Sequence, residues 1–96
     1  MLKSYLLSID GLVVRRSQVL DYLDKSPQIL NWFAIMKDSI LITSKNNATQ
    51  LREMLHLAFP FGWFIITELQ TGNYDGWLPK ENWDFIANPR SSGRWS

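Results

Sequence analysis

Few side chains in this sequence are of the types that catalyse reactions or bind metal ions. Cysteine is absent and His56 is the single histidine. His56 falls on the polar side of a predicted helix, where an exposed surface imidazole is the expected role. A metal site there would need several carboxylates to converge on the imidazole, and no ligand spacing indicates that. The sequence therefore shows no metal or catalytic motif around its histidine.

Asp10 is the main candidate for chemistry, because it ends a predicted strand and precedes Gly11. If the role of Asp10 is purely structural, its carboxylate accepts hydrogen bonds from the backbone of the turn, which is a common role for aspartate. Arg15 and Arg16 follow at the start of a predicted helix, with Lys3 expected nearby. These cations could form a small basic spot, so Arg15 and Arg16 are candidates for contact with nucleic acid.

Hydrophobic periodicity predicts the elements that position these residues. One helix is capped by Asn47, with Gln50 in the capping-box position, and buries Leu51 and Leu55 before Pro60 ends it. In chain order we predict a strand at 3–10, a helix at 16–25, strands at 32–36 and 39–44, this helix, a strand at 63–67 and a short helix at 77–86. The first six elements predict an α+β, ferredoxin-like βαββαβ fold, with a four-stranded antiparallel sheet and two helices on one face.

The second face of this sheet should also be covered. In a sheet with one free face, every second strand residue is polar. Here the strand at 32–36 is apolar on both faces, and so is the strand at 63–67. Either the segment 77–86 folds back over the second face or a second copy of the chain covers it. The second possibility, with the high aromatic fraction of 14%, predicts a homodimer.

Composition limits the domain count and the partners. The 96 residues predict a single domain at 1–87, which includes the C-terminal segment, and a flexible tail at 88–96. The net charge of +1 comes without a basic stripe, so composition alone does not demand nucleic acid as a partner. No apolar run approaches the ~18 residues of a membrane span, and no secretory leader is recognisable. We therefore expect no membrane contact and a cytoplasmic location.

Several segments resemble a known family. They are the first strand at 5–10 that ends in Asp10, Trp32 before the hairpin strands, the strand at 40–43 and the helix–strand unit at 50–69. In these features, over residues 1 to about 70, the chain resembles the small ferredoxin-like CRISPR-associated nuclease that accompanies the spacer integrase. It is also similar to the related SinR-like bacterial proteins of ferredoxin-like type.

The resemblance implies a role for Asp10. In that family the aspartate at the strand end is implicated in binding a divalent metal, together with its symmetry mate in a homodimer. A carboxylate-bound cation such as Mg²⁺ activates water and holds a phosphodiester. Where the family has polar residues after the aspartate, this sequence has Gly11 and an apolar run at 12–14.

Two functional hypotheses follow. The first is a non-enzymatic, dimeric interaction module that binds another macromolecule and needs no cofactor. The alternative is a metal-dependent nuclease or nucleic-acid-binding protein of the CRISPR-associated type, with Asp10 as catalytic and metal-binding candidate and Mg²⁺ as cofactor. Aromatic richness and the doubly apolar strands favour the first hypothesis, whereas the order of elements and Asp10 favour the second. The sequence leaves open whether the chain is an enzyme, and it favours a binding role without catalysis.

Overall fold

The first strand, β1 (Lys3–Ile9), pairs on both sides and lies inside a four-stranded antiparallel sheet of order β2-β3-β1-β4. The computed structural model describes residues 1–95. After β1, the elements are α1 (Arg16–Asp24), β2 (Asn31–Met36), β3 (Ser39–Ser44), α2 (Ala48–Ala58), β4 (Phe64–Glu68) and α3 (Lys80–Ala87). The predicted α+β character, the four antiparallel strands and the hairpin turn at 37–38 are confirmed.

Several boundaries differ from the prediction by one residue or more, and those of β1, β4 and the third helix bear on the surfaces described below. β1 ends at Ile9, so Asp10 stands just beyond the strand, and β4 begins at Phe64 instead of one residue earlier. The third helix begins at Lys80, whereas residues 77–79 were predicted to be helical. Pro79 is its N-cap with extended backbone, at φ −55° and ψ 150°, and therefore precedes the first turn. Residues 77 and 78 stay outside the helix, in an extended connection.

The hydrophobic core lies between one face of the sheet and the helices α1 and α2. Tyr5 and Leu7 of β1 face this side, since successive side chains of a strand point to opposite faces. The helices contribute side chains at helical spacing on their inner sides. The buried cluster consists of Tyr5, Leu7, Ile9, Val19, Leu23, Ile29, Ile40, Ile42, Leu51 and Leu55. The apolar sides of α1 and α2 are buried against this face of the sheet, and this burial supplies most of the apolar contact that stabilises the fold.

The start of α2 has the predicted capping box. Asn47 accepts a hydrogen bond from the backbone N–H of Gln50 at 2.8 Å, and the Gln50 side chain accepts one from the Asn47 N–H at 2.9 Å. These bonds satisfy backbone donors that would otherwise lack partners at a helix start. The helix therefore begins at a fixed residue, which sets the register of Leu51 and Leu55 against the sheet.

The third helix covers part of the second face of the sheet. The Ser4 hydroxyl donates to the carbonyl of Ile86 at 2.8 Å, and Phe33 meets Phe85 edge-on with ring centroids 5.8 Å apart. Ile86 is buried at this contact. The expectation that the C-terminal segment folds back is therefore met over β1 and β2, but α3 leaves Ile65 of β4 uncovered.

The residues after α3 run past the start of β2. The Ser92 N–H donates to the Leu30 carbonyl at 2.8 Å, and Arg94 lies 3.3 Å from an oxygen of Asp24. Asn31 donates to the Arg90 carbonyl at 3.2 Å. The flexibility expected for 88–96 is a dynamic property and stays a prediction, and Ser96 lies outside the described residues.

Within residues 1–95 every helix falls short of the length and apolar character that a membrane crossing requires. The longest of the helices described there is α2, with 11 residues. A transmembrane helix needs about 20 predominantly apolar residues.

The position of α2 predicts a contrast between two leucines. Leu55→Ala removes a fully packed side chain and should lower the free energy of unfolding by about 2–5 kcal/mol. Leu57→Ala, on the same helix but 83% exposed, should change it by less than about 0.5 kcal/mol. Urea unfolding of both variants followed by circular dichroism measures the difference. Equal losses would contradict the observed orientation of α2.

Candidate functional site

Asp10 closes the turn between β1 and α1. Its carboxylate oxygen Oδ1 accepts the N–H of Leu12 at 3.0 Å, and its carbonyl accepts the N–H groups of Val13 and Val14, each at 3.1 Å. Its own N–H donates to the Trp63 carbonyl at 3.0 Å, next to the start of β4. Asp10 therefore has the structural role expected of aspartate at a strand end, and it joins this turn to β4.

A second carboxylate lies at the same turn. The Asp38 carboxylate lies directly against Gly11, so that a Cβ atom at this position would require the Asp38 side chain to move. The Asp38 carbonyl in turn accepts the Ile9 N–H at 2.9 Å. Asp10 and Asp38 thus flank one glycine. In the described part of the chain no group of three or more His, Cys, Asp or Glu side chains is placed to hold a metal ion.

Arg15 and Arg16 line an open groove at this end of the sheet. Lys37, from the β2–β3 turn, lies on the same groove and adds a third cation, while Asp38 adds a carboxylate. Lys3 does not belong to this site, because it begins β1 whereas the groove lies beyond its other end. The expected basic spot is therefore formed with Lys37 in place of Lys3.

The sheet has two edge strands, β2 and β4, and within residues 1–95 β4 pairs with β1 alone. The Trp63 carbonyl accepts from Asp10, and the Leu69 N–H donates to Ser4 at 2.8 Å, so residues 63 and 69 direct backbone groups toward β1. In an antiparallel pair such positions alternate along the strand. The N–H and C=O groups of Phe64, Ile66 and Glu68 therefore point away from the sheet.

Large apolar side chains surround this edge. Phe61, Trp63 and Ile65 are 86%, 78% and 68% exposed, and the β1–α1 turn contributes two further exposed apolar residues. The hydrogen bond between Asp10 and Trp63 places that turn beside them. We call this surface the β4 patch; it consists of Leu12, Val13, Phe61, Trp63 and Ile65. Contiguous exposed apolar surface of this kind marks interaction sites.

The sequence does not predict two features of these surfaces. Lys37 and Asp38 are predicted only as the turn of the hairpin, although that turn lies at the sheet end where β1 finishes. The strand at 63–67 is expected to be covered on both faces, yet Trp63 and Ile65 are exposed, and so is Phe61 before them. His56 is exposed on α2, as its position on the polar side of the helix predicted.

The fold and these surfaces define a small α+β protein with an uncovered apolar edge strand. Comparison with known protein families, with curated proteins and with solved structures finds no match to this chain.

The Asp10 turn predicts different effects for two substitutions. Asp10→Ala removes the acceptor for the Leu12 N–H and should lower the free energy of unfolding by about 1 kcal/mol. Asp10→Asn keeps an oxygen acceptor of the same size, and we expect a loss of less than about 0.5 kcal/mol. Chemical denaturation of the two variants tests this. If Asp10→Asn lost as much as Asp10→Ala, the charge and not the hydrogen bond would stabilise the turn.

Proposed function

We propose that this protein is a non-enzymatic interaction module that works as a homodimer, with two copies joined through the free edge of β4. The observation that carries the proposal is the β4 patch, in which Phe61, Trp63 and Ile65 are exposed beside unpaired backbone groups. Natural proteins usually protect such an edge with charges, proline or a bulge. Residues Phe64 to Thr67 of β4 include no charged residue and no proline, and Glu68 at the end of the strand is its single charge.

A second copy is the occupant that fits this edge. An antiparallel strand pair related by a twofold axis needs the same pattern of donors and acceptors on both strands. With Ile66 opposite its own copy and Phe64 opposite Glu68, all three outward-facing residues pair, since 64 and 68 are equidistant from 66. Ile65 then meets Thr67 of the other copy on the uncovered face. This register uses every outward N–H and C=O that β4 presents.

The strand order also bears on the fold assignment. The order β2-β3-β1-β4 and the position of α1 and α2 against one face support a ferredoxin-like arrangement, which we propose for residues 3–68. Joining two such sheets at β4 would produce one continuous eight-stranded sheet. The dimer and its surfaces would then act in the cytoplasm, the location that we expect from the sequence.

The dimer predicts the effect of a charge in the β4 patch. Ile65→Lys places an ammonium group where two apolar surfaces meet, so that the protein should sediment as a monomer at concentrations where the wild type is a dimer. The matched control is Leu57→Lys, because Leu57 is 83% exposed on α2 and should leave the dimer intact. Sedimentation velocity measures both. A wild-type monomer at high micromolar concentration would overturn the proposal.

Amide hydrogen exchange tests the register itself. In the dimer the outward N–H groups of Phe64, Ile66 and Glu68 should be protected at high protein concentration and exchange faster on dilution. The inward N–H groups of Ile65 and Thr67 should be protected at both concentrations, because they face β1. Concentration-independent exchange at residues 64, 66 and 68 would exclude pairing through this edge, even if the protein were dimeric.

A second candidate function is binding or cleavage of nucleic acid, as in the CRISPR-associated type. The observation that favours it is the groove in which Lys37 joins Arg15 and Arg16 beside the Asp10 turn. Cationic side chains that line one groove neutralise phosphates and release counterions on binding. If the protein cleaves, Asp10 would be the candidate ligand for Mg²⁺, shared with the Asp10 of a second copy.

This candidate predicts a salt-dependent response to paired substitutions. Replacing Arg15 and Arg16 by glutamine should weaken oligonucleotide binding and reduce the slope of log affinity against log salt by about two. Arg52→Gln, an exposed arginine on α2, is the control that should change the slope little. Fluorescence anisotropy with a short duplex measures the slopes. Asp10→Asn should abolish any Mg²⁺-dependent cleavage, and retained cleavage would remove Asp10 from the mechanism.

A further inference from the structure

A second surface lies on the other side of the molecule from α1 and α2. The connection between β4 and α3 lies across the second face of the sheet and forms an open groove with α3. Tyr74, Trp77 and Trp83 line this groove together with the carboxylate residue Asp75. We call it the aromatic groove. It uses none of the residues of the β4 patch.

The aromatic walls are held in place. The rings of Tyr74 and Trp83 stack with centroids 6.4 Å apart and an angle of 16° between their planes. The indole N–H of Trp83 donates to the Leu78 carbonyl at 3.1 Å, which fixes the ring against the connection. Asp75 accepts the Gly76 N–H at 2.8 Å. Two of the three aromatic residues are therefore positioned before any ligand arrives.

Trp77 has no comparable structural role. Its side chain is 99% exposed, although it borders the same groove. An indole in water costs hydrophobic free energy that burial would recover, and it contributes nothing to the core. The ring faces of this exposed tryptophan are therefore free to contact a ligand in the groove that Tyr74 and Trp83 also line.

The floor of the groove is apolar. It is formed by Leu6 of β1, Leu41 of β3 and Ile86 of α3, with Ile35 and Leu69 at its margins. Such a floor accommodates methyl or methylene groups and gives no hydrogen bonds to a polar ligand. Among the described residues that line this groove, Asp75 has the only carboxylate and none is a lysine or an arginine, so the charge of the site favours a cation.

From this combination we propose that the aromatic groove binds a trimethylammonium group. A cation over the faces of tryptophan and tyrosine is attracted by the ring quadrupole, and quaternary ammonium ions are the typical ligands of aromatic cages. The methyl groups contact the rings and the apolar floor, while Asp75 supplies the counter-charge. A primary ammonium would have to give up its strong hydration and finds few hydrogen-bond acceptors there.

The test compares a cation with its neutral isostere. Choline and 3,3-dimethylbutan-1-ol have the same shape, because a quaternary carbon replaces the nitrogen, so only charge distinguishes them. We expect choline to shift the indole NMR signals of Trp77 and Trp83 with saturable binding, and the alcohol to bind at least about fivefold more weakly. Equal binding of the two, or saturation by neither, would overturn the proposal.

Variants assign the binding to this groove. Trp77→Ala should weaken choline binding by about fivefold or more, and Asp75→Asn by about threefold, whereas Trp77→Phe should retain most of it. Because Trp77 is almost completely exposed, its replacement should not affect folding. Trp95→Ala, outside the groove, is the control that should leave the affinity unchanged. Unchanged affinity in Trp77→Ala and Asp75→Asn would place the binding elsewhere and refute the site.

The source of the group can be tested in the same titration. Nε-trimethyl-lysine has the same cationic group on a longer alkyl stem, which could lie along the apolar floor. Tighter binding of trimethyl-lysine than of choline would assign the group to a modified protein side chain, and tighter binding of choline to a small metabolite. The experiment does not depend on the dimer, since the Ile65→Lys monomer should bind choline equally well.

Discussion

The structure depends on the two-sided pairing of β1. This strand has neighbours on both edges, and its alternation sends Tyr5 and Leu7 to one face and Ser4 and Leu6 to the other. The first face receives α1 and α2 and becomes the core. The second face receives α3, through the Ser4 hydroxyl, and becomes the floor of the aromatic groove. Both faces of the sheet are therefore organised around one seven-residue strand.

One part of the second face of the sheet is covered and another part is exposed. Over β1 and β2 it is partly covered by α3, and Phe33 and Phe85 pack edge-on there. At β4 it stays open, since Ile65 is exposed. The open part coincides with the unpaired backbone edge. The addition of one strand from another chain would pair the free backbone groups of this edge and would also cover the apolar side chains beside it.

The turn after β1 connects the candidate surfaces at one end of the sheet. Asp10 stabilises this turn by accepting the Leu12 N–H, and its own N–H binds Trp63 at the start of β4. The cationic groove with Arg15 and Lys37 lies on the other side of the same turn. A partner bound at either surface would therefore contact residues adjacent to the turn. The aromatic groove is separate, because it is built from the connection that precedes α3 and from α3 itself.

The local elements follow from the amino-acid sequence alone. The capping box at Asn47 and Gln50, the apolar spacing of Leu51 and Leu55, and the hairpin were predictable, because each depends on residues close together in the chain. Which apolar strand residues stay exposed depends instead on contacts between distant segments. Ile65 alternates as regularly as a buried residue, and its exposure depends on where α3 docks, which is a contact between distant segments. The same reason applies to Lys37 beside Arg15: strand pairing places them on one groove, and no local pattern records it.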